Sequence, residues 1–274
     1  MSSNLPGRLG SKNPQKRLAS LKDMVSQSDP LTHEILLACL NDEASIIRLY
    51  AATQLVALYD GKYARRLVPL LNDDSVVSQQ VIKSLRSTDL NIAQVILAFV
   101  DSTLAPIRAG CASILGVYPS EQVVNVLIDL LQDPDVRPRV NAAQSLGEIG
   151  DKAAILPLLH AVDDRSDLVG RAAIRALGDI KDPSVVDLLV NRLSVEENRL
   201  RKQSILYALG ELGNPQAARP LLDLFLQPQE SEKMRDSAAL ALTFLGDEGR
   251  KALRTALTEG DAFAQQFAKA YLRL

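Results

Sequence analysis

The chain of 274 residues has no tryptophan, and its phenylalanines and tyrosines amount to only 4%. With so few rings, a core must be built from Leu, Ala, Val and Ile, a composition that suits close-packed helices. Two cysteines, Cys39 and Cys111, offer no pair motif for a disulfide framework, and the two histidines, His33 and His160, are too far apart in the chain to suggest a shared metal site. The sequence has no run of about 18 apolar residues, so no membrane-spanning helix is expected. It also lacks a phosphate loop ending in Gly-Lys-Ser/Thr, a Gly-x-Gly-x-x-Gly, a Gly-x-Ser-x-Gly and a His-Glu-x-x-His, so no motif demands an enzyme. An excess of positive charge is missing too: 31 basic and 33 acidic residues give a formal charge of −2. Nucleic acid is therefore not the expected partner, and the expected setting is cytoplasmic.

What the sequence does contain is a repeat. Arg48, Ala51, Ala52 and Leu55 recur as Arg108, Cys111, Ala112 and Leu115, as Arg139, Ala142, Ala143 and Leu146, and as Arg235, Ala238, Ala239 and Leu242. Offsets of 0, 3, 4 and 7 lie on one face of a helix, and the small residues admit a close neighbour. Weaker copies begin at Arg17, Ser78, Gly170, Lys202 and Gln265, so the period is 30 to 33 residues. A second amphipathic stretch precedes every copy but the first, for example at 62–71, 92–100 and 122–131. Two helices per period make a hairpin that cannot bury its apolar face alone, whereas stacked neighbours share a core.

The expected fold is all-α: an α-solenoid, or superhelix, of about eight helical hairpins. Residues 1–12 read as a flexible basic tail, 13–30 as an N-terminal capping helix and 31–274 as the repeat array. Asp42, Asp73, Asp101, Asp133 and Asp163 fall between the paired helices, where each is expected to cap the second. Gly147, Gly150, Gly178, Gly210 and Gly213 fall where helices should turn out. Pro69, Pro157 and Pro220 should bend or delay three first helices.

The run from Asp135 to Asp151, Asp-Val-Arg-Pro-Arg-Val-Asn-Ala-Ala-Gln-Ser-Leu-Gly-Glu-Ile-Gly-Asp, resembles the HEAT-like repeat named after the phycobilisome lyases of cyanobacteria, as does 170–182. The resemblance extends over nearly the whole chain as architecture, but the shared residues are packing residues. It implies a family that holds paired E/F-type bilin lyases, proteins of phycobilisome turnover, and many adaptors and assembly factors, hence a cyanobacterial or plastid setting.

Function is expected on the side of the second helices that packing leaves free. That row reads Tyr50 and Gln54; Gln79, Gln80 and Lys83; Asn141 and Gln144; Arg171 and Arg175; Gln203 and Tyr207. Lining the inner curve of a stack, this polar, mixed-charge row suits a folded protein partner on a concave face. The plainer reading is a solvated face. The repeated arginines are read as structural, each reaching a turn Asp of its own or the adjacent repeat. Cys39 and Cys111 are read as core residues. The expectation is a non-catalytic adaptor, chaperone or assembly factor without a cofactor. The alternative, implied by the resemblance, is a lyase that attaches or detaches a linear tetrapyrrole at a phycobiliprotein cysteine. A HEAT-like DNA-repair protein is disfavoured by the charge balance and the few rings available for stacking.

Overall fold

The computed structural model describes residues 9–27, 31–89 and 91–273. The part of the basic tail before residue 9, with Arg8, lies outside the described residues. The chain divides into two compact units, Met1–Val126 and Leu127–Leu274. Among the described residues all regular structure is helical.

Unit 1 begins with α1 (Pro14–Ser26), followed by α2 (Thr32–Cys39) with α3 (Ser45–Tyr59), α4 (Ala64–Leu67) with α5 (Ser75–Arg86), and α6 (Ala93–Leu97) with α7 (Ala105–Leu115). The division falls inside α8 (Glu121–Leu130). Unit 2 continues with α9 (Val136–Ile149), α10 (Ile155–Ala161) with α11 (Asp167–Asp179), α12 (Ser184–Val195) with α13 (Arg199–Leu212), α14 (Ala218–Leu226) with α15 (Glu232–Thr243), and α16 (Gly246–Glu259) with α17 (Ala262–Leu272). Within unit 1, α3 packs on α1 and α5, and α5 on α7; within unit 2, α9, α11, α13, α15 and α17 each pack on the next. Each unit is thus a stack of hairpins of the α-solenoid kind.

The repeat leucines form the spine of both cores. Leu55, Leu85 and Leu115 in unit 1, and Leu146, Leu177, Leu209 and Leu242 in unit 2, are fully buried. Burying each stabilises by about 1.5 to 3 kcal/mol relative to exposure. The small residues behind them are equally closed off, Cys111 included.

In unit 2 the first glycine of each expected exit has another role. Gly147 lies inside α9 and Gly178 inside α11, not at their ends. A Cβ on Gly147 would stand 2.7 Å from the Ala176 Cα, and one on Gly178 would stand 3.0 Å from the Ala208 Cβ. These glycines let successive second helices touch backbone to backbone. The turn out of α9 is made by Gly150, at φ 75°, a left-handed conformation that glycine adopts without steric cost.

Proline acts as expected at the start of two first helices. Pro157 and Pro220 each occupy the third position of an α-helix whose start is delayed by a 3-10 turn, Lys152–Ala154 and Pro215–Ala217. The stretches 62–71 and 92–100 are less helical than their periodicity predicts. After α4 the chain narrows to a 3-10 turn, Val68–Asn72, that contains Pro69.

The repeated arginine forms a ladder. Arg139 gives Nε and Nη2 to the Asp164 carboxylate at 2.8 and 2.9 Å, and its Nη1 donates to the Asp133 carbonyl at 2.8 Å. Each such Arg therefore ties its own turn to the next one. Arg17 with Asp42, Arg48 with Asp73 and Arg235 with Asp261 repeat the ion pair. Arg108 likewise donates to the Ser102 carbonyl. Where Gly170 replaces the Arg, Arg201 reaches back from the next repeat, lies against Gly170 and donates to the Asp164 carbonyl at 2.7 Å.

The expected capping by the turn acids is corrected accordingly. Asp42 and Asp73 bind arginine and accept from the backbone N–H groups of Ala44 and Asp74, ahead of the helix. Asp133 does the same for the Asp135 N–H. Asp163 pairs with Arg192, and Asp164 takes the ladder position. Asp101 is exposed, and the N-cap of α7 is Leu104, with no side-chain bond. The caps are Asp74, Asp135, Asn198, Ser231 and Asp261, which stand directly before their helices.

Candidate functional site

The expected row divides between the two units. In unit 1, Tyr50 is half-buried with the Lys22 ammonium 5.9 Å from its ring centre, and burial pushes its phenol up. Gln54 is half-buried, and Gln80 turns along its own helix to donate to the Ser84 hydroxyl at 3.2 Å. Gln79 and Lys83 are open. They line a cleft of about 440 Å³ between α5 and α7, together with Ile82, Arg86, Ser113 and Val117.

In unit 2 the row comes together more closely. Asn141 is half-buried and Gln144 exposed on α9. On α11 and α13, Arg171, Arg175, Gln203 and Tyr207 line one small cleft of about 130 Å³, joined by Leu200 and Ser204. All six sit on two directly packed second helices, and the four-residue spacings 171/175 and 203/207 put each pair on one helix face. Tyr207 is 54% exposed and Leu200 is 46% exposed. The Arg171 Nε is shut off from solvent and has no acceptor.

Sequence reasoning missed the apolar part of this face. Leu240 on α15 and Phe244 at its C-terminal cap are 45% and 52% exposed, and the Phe244 ring reaches over Gly210 of α13. The signal was present: Leu240 follows Arg235 by five residues, as Tyr207 follows Lys202 and Arg175 follows Gly170. One turn further along stand Asp179 and Glu211. Burial raises the Asp179 carboxyl above its ordinary value; the Arg175 guanidinium opposes that rise, while Glu211 and Glu148 add to it.

Other reactive groups are poorly placed for chemistry. Burial pushes the Cys111 thiol up to about 12, and burial with the nearby Asp42 pushes Cys39 up to about 11, so neither is a thiolate at neutral pH. His33 stacks on Tyr63 and meets Tyr59 edge-on. His160 is exposed in a separate cleft with Leu156 and Pro157. Among the described residues no group of three or more His, Cys, Asp or Glu could hold a metal ion. No described helix is long and apolar enough to cross a membrane.

The profile of HEAT repeats matches residues 92–172 and 157–243, together more than half of the chain. The bilin biosynthesis protein PecE of Mastigocladus laminosus is 31% identical over 121 residues. That match takes in 41% of this chain and 45% of PecE, so it spans less than half the length of that relative. Among solved structures, importin beta superposes with a TM-score of 0.62 over 96% of this chain and 45% of its own, at 14% identity. YibA of E. coli gives 0.57 over 96% and 97% of the two chains, at 18% identity. The complex of CpcE and CpcF of phycocyanin lyase from Nostoc sp. PCC7120 aligns over 82% of this chain and 93% of its own, with 21% identity and a TM-score of 0.44. The chain belongs to the HEAT-repeat family, and within that family it resembles the phycobilisome-lyase type.

Proposed function

We propose that this chain is a non-catalytic protein-binding scaffold, an adaptor, chaperone or assembly factor, whose partner sits on the exposed side of α11, α13 and α15. The observation that carries the reading is the cluster of Leu200, Tyr207, Leu240 and Phe244 on successive second helices, beside Arg171 and Arg175. Large apolar side chains grouped on a surface mark interaction sites, and Tyr and Arg dominate interface energies. The reading requires no cofactor. It takes the protein to be cytoplasmic, which suits two free, buried cysteines.

A second reading, bilin lyase or lyase subunit handling a linear tetrapyrrole on a phycobiliprotein, is favoured by the PecE match. Such chemistry asks little of the enzyme, because the acceptor thiol belongs to the substrate. The aromatic surface of this face is small for a conjugated ligand, which puts the scaffold reading first.

The test is site-specific photo-crosslinking in the native host. A photoreactive phenylalanine in place of Tyr207 on α13 is compared with one in place of Leu156 on α10, which is 68% exposed. The scaffold reading predicts one dominant protein adduct from position 207 and none from 156. A bilin recovered on the protein, or adducts from 156 alone, would overturn it.

A further inference from the structure

The described arginines are almost all accounted for in one of two ways. They are held by carboxylates or carbonyls, as in the ladder and at Arg192 and Arg201, or they are extended into solvent, as at Arg65, Arg66 and Arg254. Arg171 does neither. It is half-buried, lines the α11–α13 cleft, and has an Nε–H that is closed off from solvent without an acceptor; the Arg201 Nε–H is in the same state, but its Nη2 is held by Asp167 and the Asp164 carbonyl. A buried donor left without a partner is costly, so a guanidinium that turns towards an acidic occupant of the cleft loses that cost. Arg175, one turn away on the same wall, adds a second, exposed guanidinium, whose charge already acts on Asp179 four residues on. Arg201 brings a third cation close to Gly170, but Asp167 balances it at 2.9 Å.

The opposite wall determines what kind of anion fits. Leu200 and Tyr207 present apolar surface, while Gln203 offers an amide and Tyr207 a hydroxyl. Asp179 and Glu211 lie one turn to the C-terminal side of Arg175 and Tyr207; burial is the main cause of the raised Asp179 carboxyl, and Glu211 and Glu148 add to it. A polyphosphate or nucleic acid strand crossing the cleft would run into those acids, whereas a segment of mixed charge would not.

We infer that the α11–α13 cleft is a carboxylate-reading subsite for a protein segment in which an acidic side chain, docked on Arg171 and Arg175, adjoins an apolar one that packs on Leu200 and Tyr207. The inference rests on the scaffold reading and specifies the partner's chemistry. Guanidinium and carboxylate match as paired, parallel hydrogen bonds, so the cleft would distinguish glutamate from its isosteric amide.

The experiment is an NMR titration of the intact chain that follows the arginine Nε–H resonances, with Arg171 and Arg175 assigned from Arg171→Gln and Arg175→Gln. The probe is a synthetic acetylated, amidated peptide carrying two adjacent glutamates followed by leucine and phenylalanine. Controls are the same peptide with glutamines and sodium acetate at equal carboxylate concentration. The expected result is a saturable shift of the Arg171 signal with the glutamate peptide, at least about tenfold weaker for the glutamine peptide and for acetate. Equal binding of both peptides would overturn carboxylate recognition while leaving apolar docking in place. Acetate binding as tightly as the peptide would reduce the cleft to a small-anion site and overturn the segment. No shift at either arginine, with crosslinking from position 207 intact, would overturn this inference and leave the scaffold reading standing.

Discussion

At the scale of the residue, one side chain performs a structural task that its charge could disguise as a binding task. Arg235 is almost wholly buried, gives two nitrogens to Asp261 at 3.0 and 2.7 Å, and packs on the Phe263 ring at 4.6 Å. The Arg235 guanidinium and the Ala264 N–H hold the Asp261 carboxyl down at about 2. An unfolded Asp titrates near about 3.9, so the folded form binds its proton less readily. The pair's contribution is therefore fully present above about pH 4 and is lost as pH falls from about 4 towards 2. Urea unfolding of wild type and Asp261→Asn across that window should show a steeper loss of stability in wild type. Identical slopes would mean that the ion pair contributes nothing. Asp42 and Asp164 are held low in the same way, since arginine and backbone hydrogen bonds outweigh the burial that alone would raise them. The arginine's structural role was legible from its place in the packing pattern. The aspartates' role was not, because an acid two or three residues before a helix can equally cap it or receive an arginine from the preceding repeat.

At the scale of the element, the glycines separate two explanations by sign. If Gly147 were an ordinary position inside α9 with no close neighbour, Gly147→Ala would stabilise α9 by up to about 1 kcal/mol through helix propensity. The added methyl would instead meet the Ala176 Cα at 2.7 Å, so the substitution should destabilise by about 1 to 3 kcal/mol through overpacking. Gly150→Ala has open space around it and φ 75°; it should cost about 1 to 2 kcal/mol from backbone strain alone. Thermal melts of the two variants decide the matter, and a raised Tm for Gly147→Ala would contradict the packing account. The pairing of helices and their period could be read from the sequence, because a four-point pattern repeated nine times outweighs any local ambiguity. The roles of the glycines could not, since Leu-Gly reads the same whether the glycine ends a helix or admits a neighbouring one. Nor could the shortness of α4 and α6, where apolar periodicity does not register that the backbone has tightened into 3-10 or turn geometry.

At the scale of the whole molecule, the scaffold reading places stability and recognition on different residues. The ladder and the leucine spine hold the hairpins, and the proposal places recognition on the exposed side of α11, α13 and α15. About half of that face was legible: Arg171, Arg175, Gln203 and Tyr207 follow from asking which helix positions packing leaves unused. Leu200, Leu240 and Phe244 were passed over because an isolated exposed apolar residue is ordinary, and only their register on adjacent helices makes them a patch. The most direct measurement takes the partner recovered by crosslinking at position 207 and titrates it calorimetrically against two variants, each also melted by circular dichroism. Tyr207→Ala with Arg175→Ala should weaken binding by about 2 kcal/mol or more and leave stability within about 0.5 kcal/mol of wild type. Arg139→Ala, which strips Asp164 of its partner, should lower stability by about 3 kcal/mol and leave the affinity of the folded protein nearly unchanged. The reverse pattern, with Arg139→Ala abolishing binding at full stability and the Tyr207/Arg175 pair without effect, would contradict the account and make the repeated arginines the ligand-binding set.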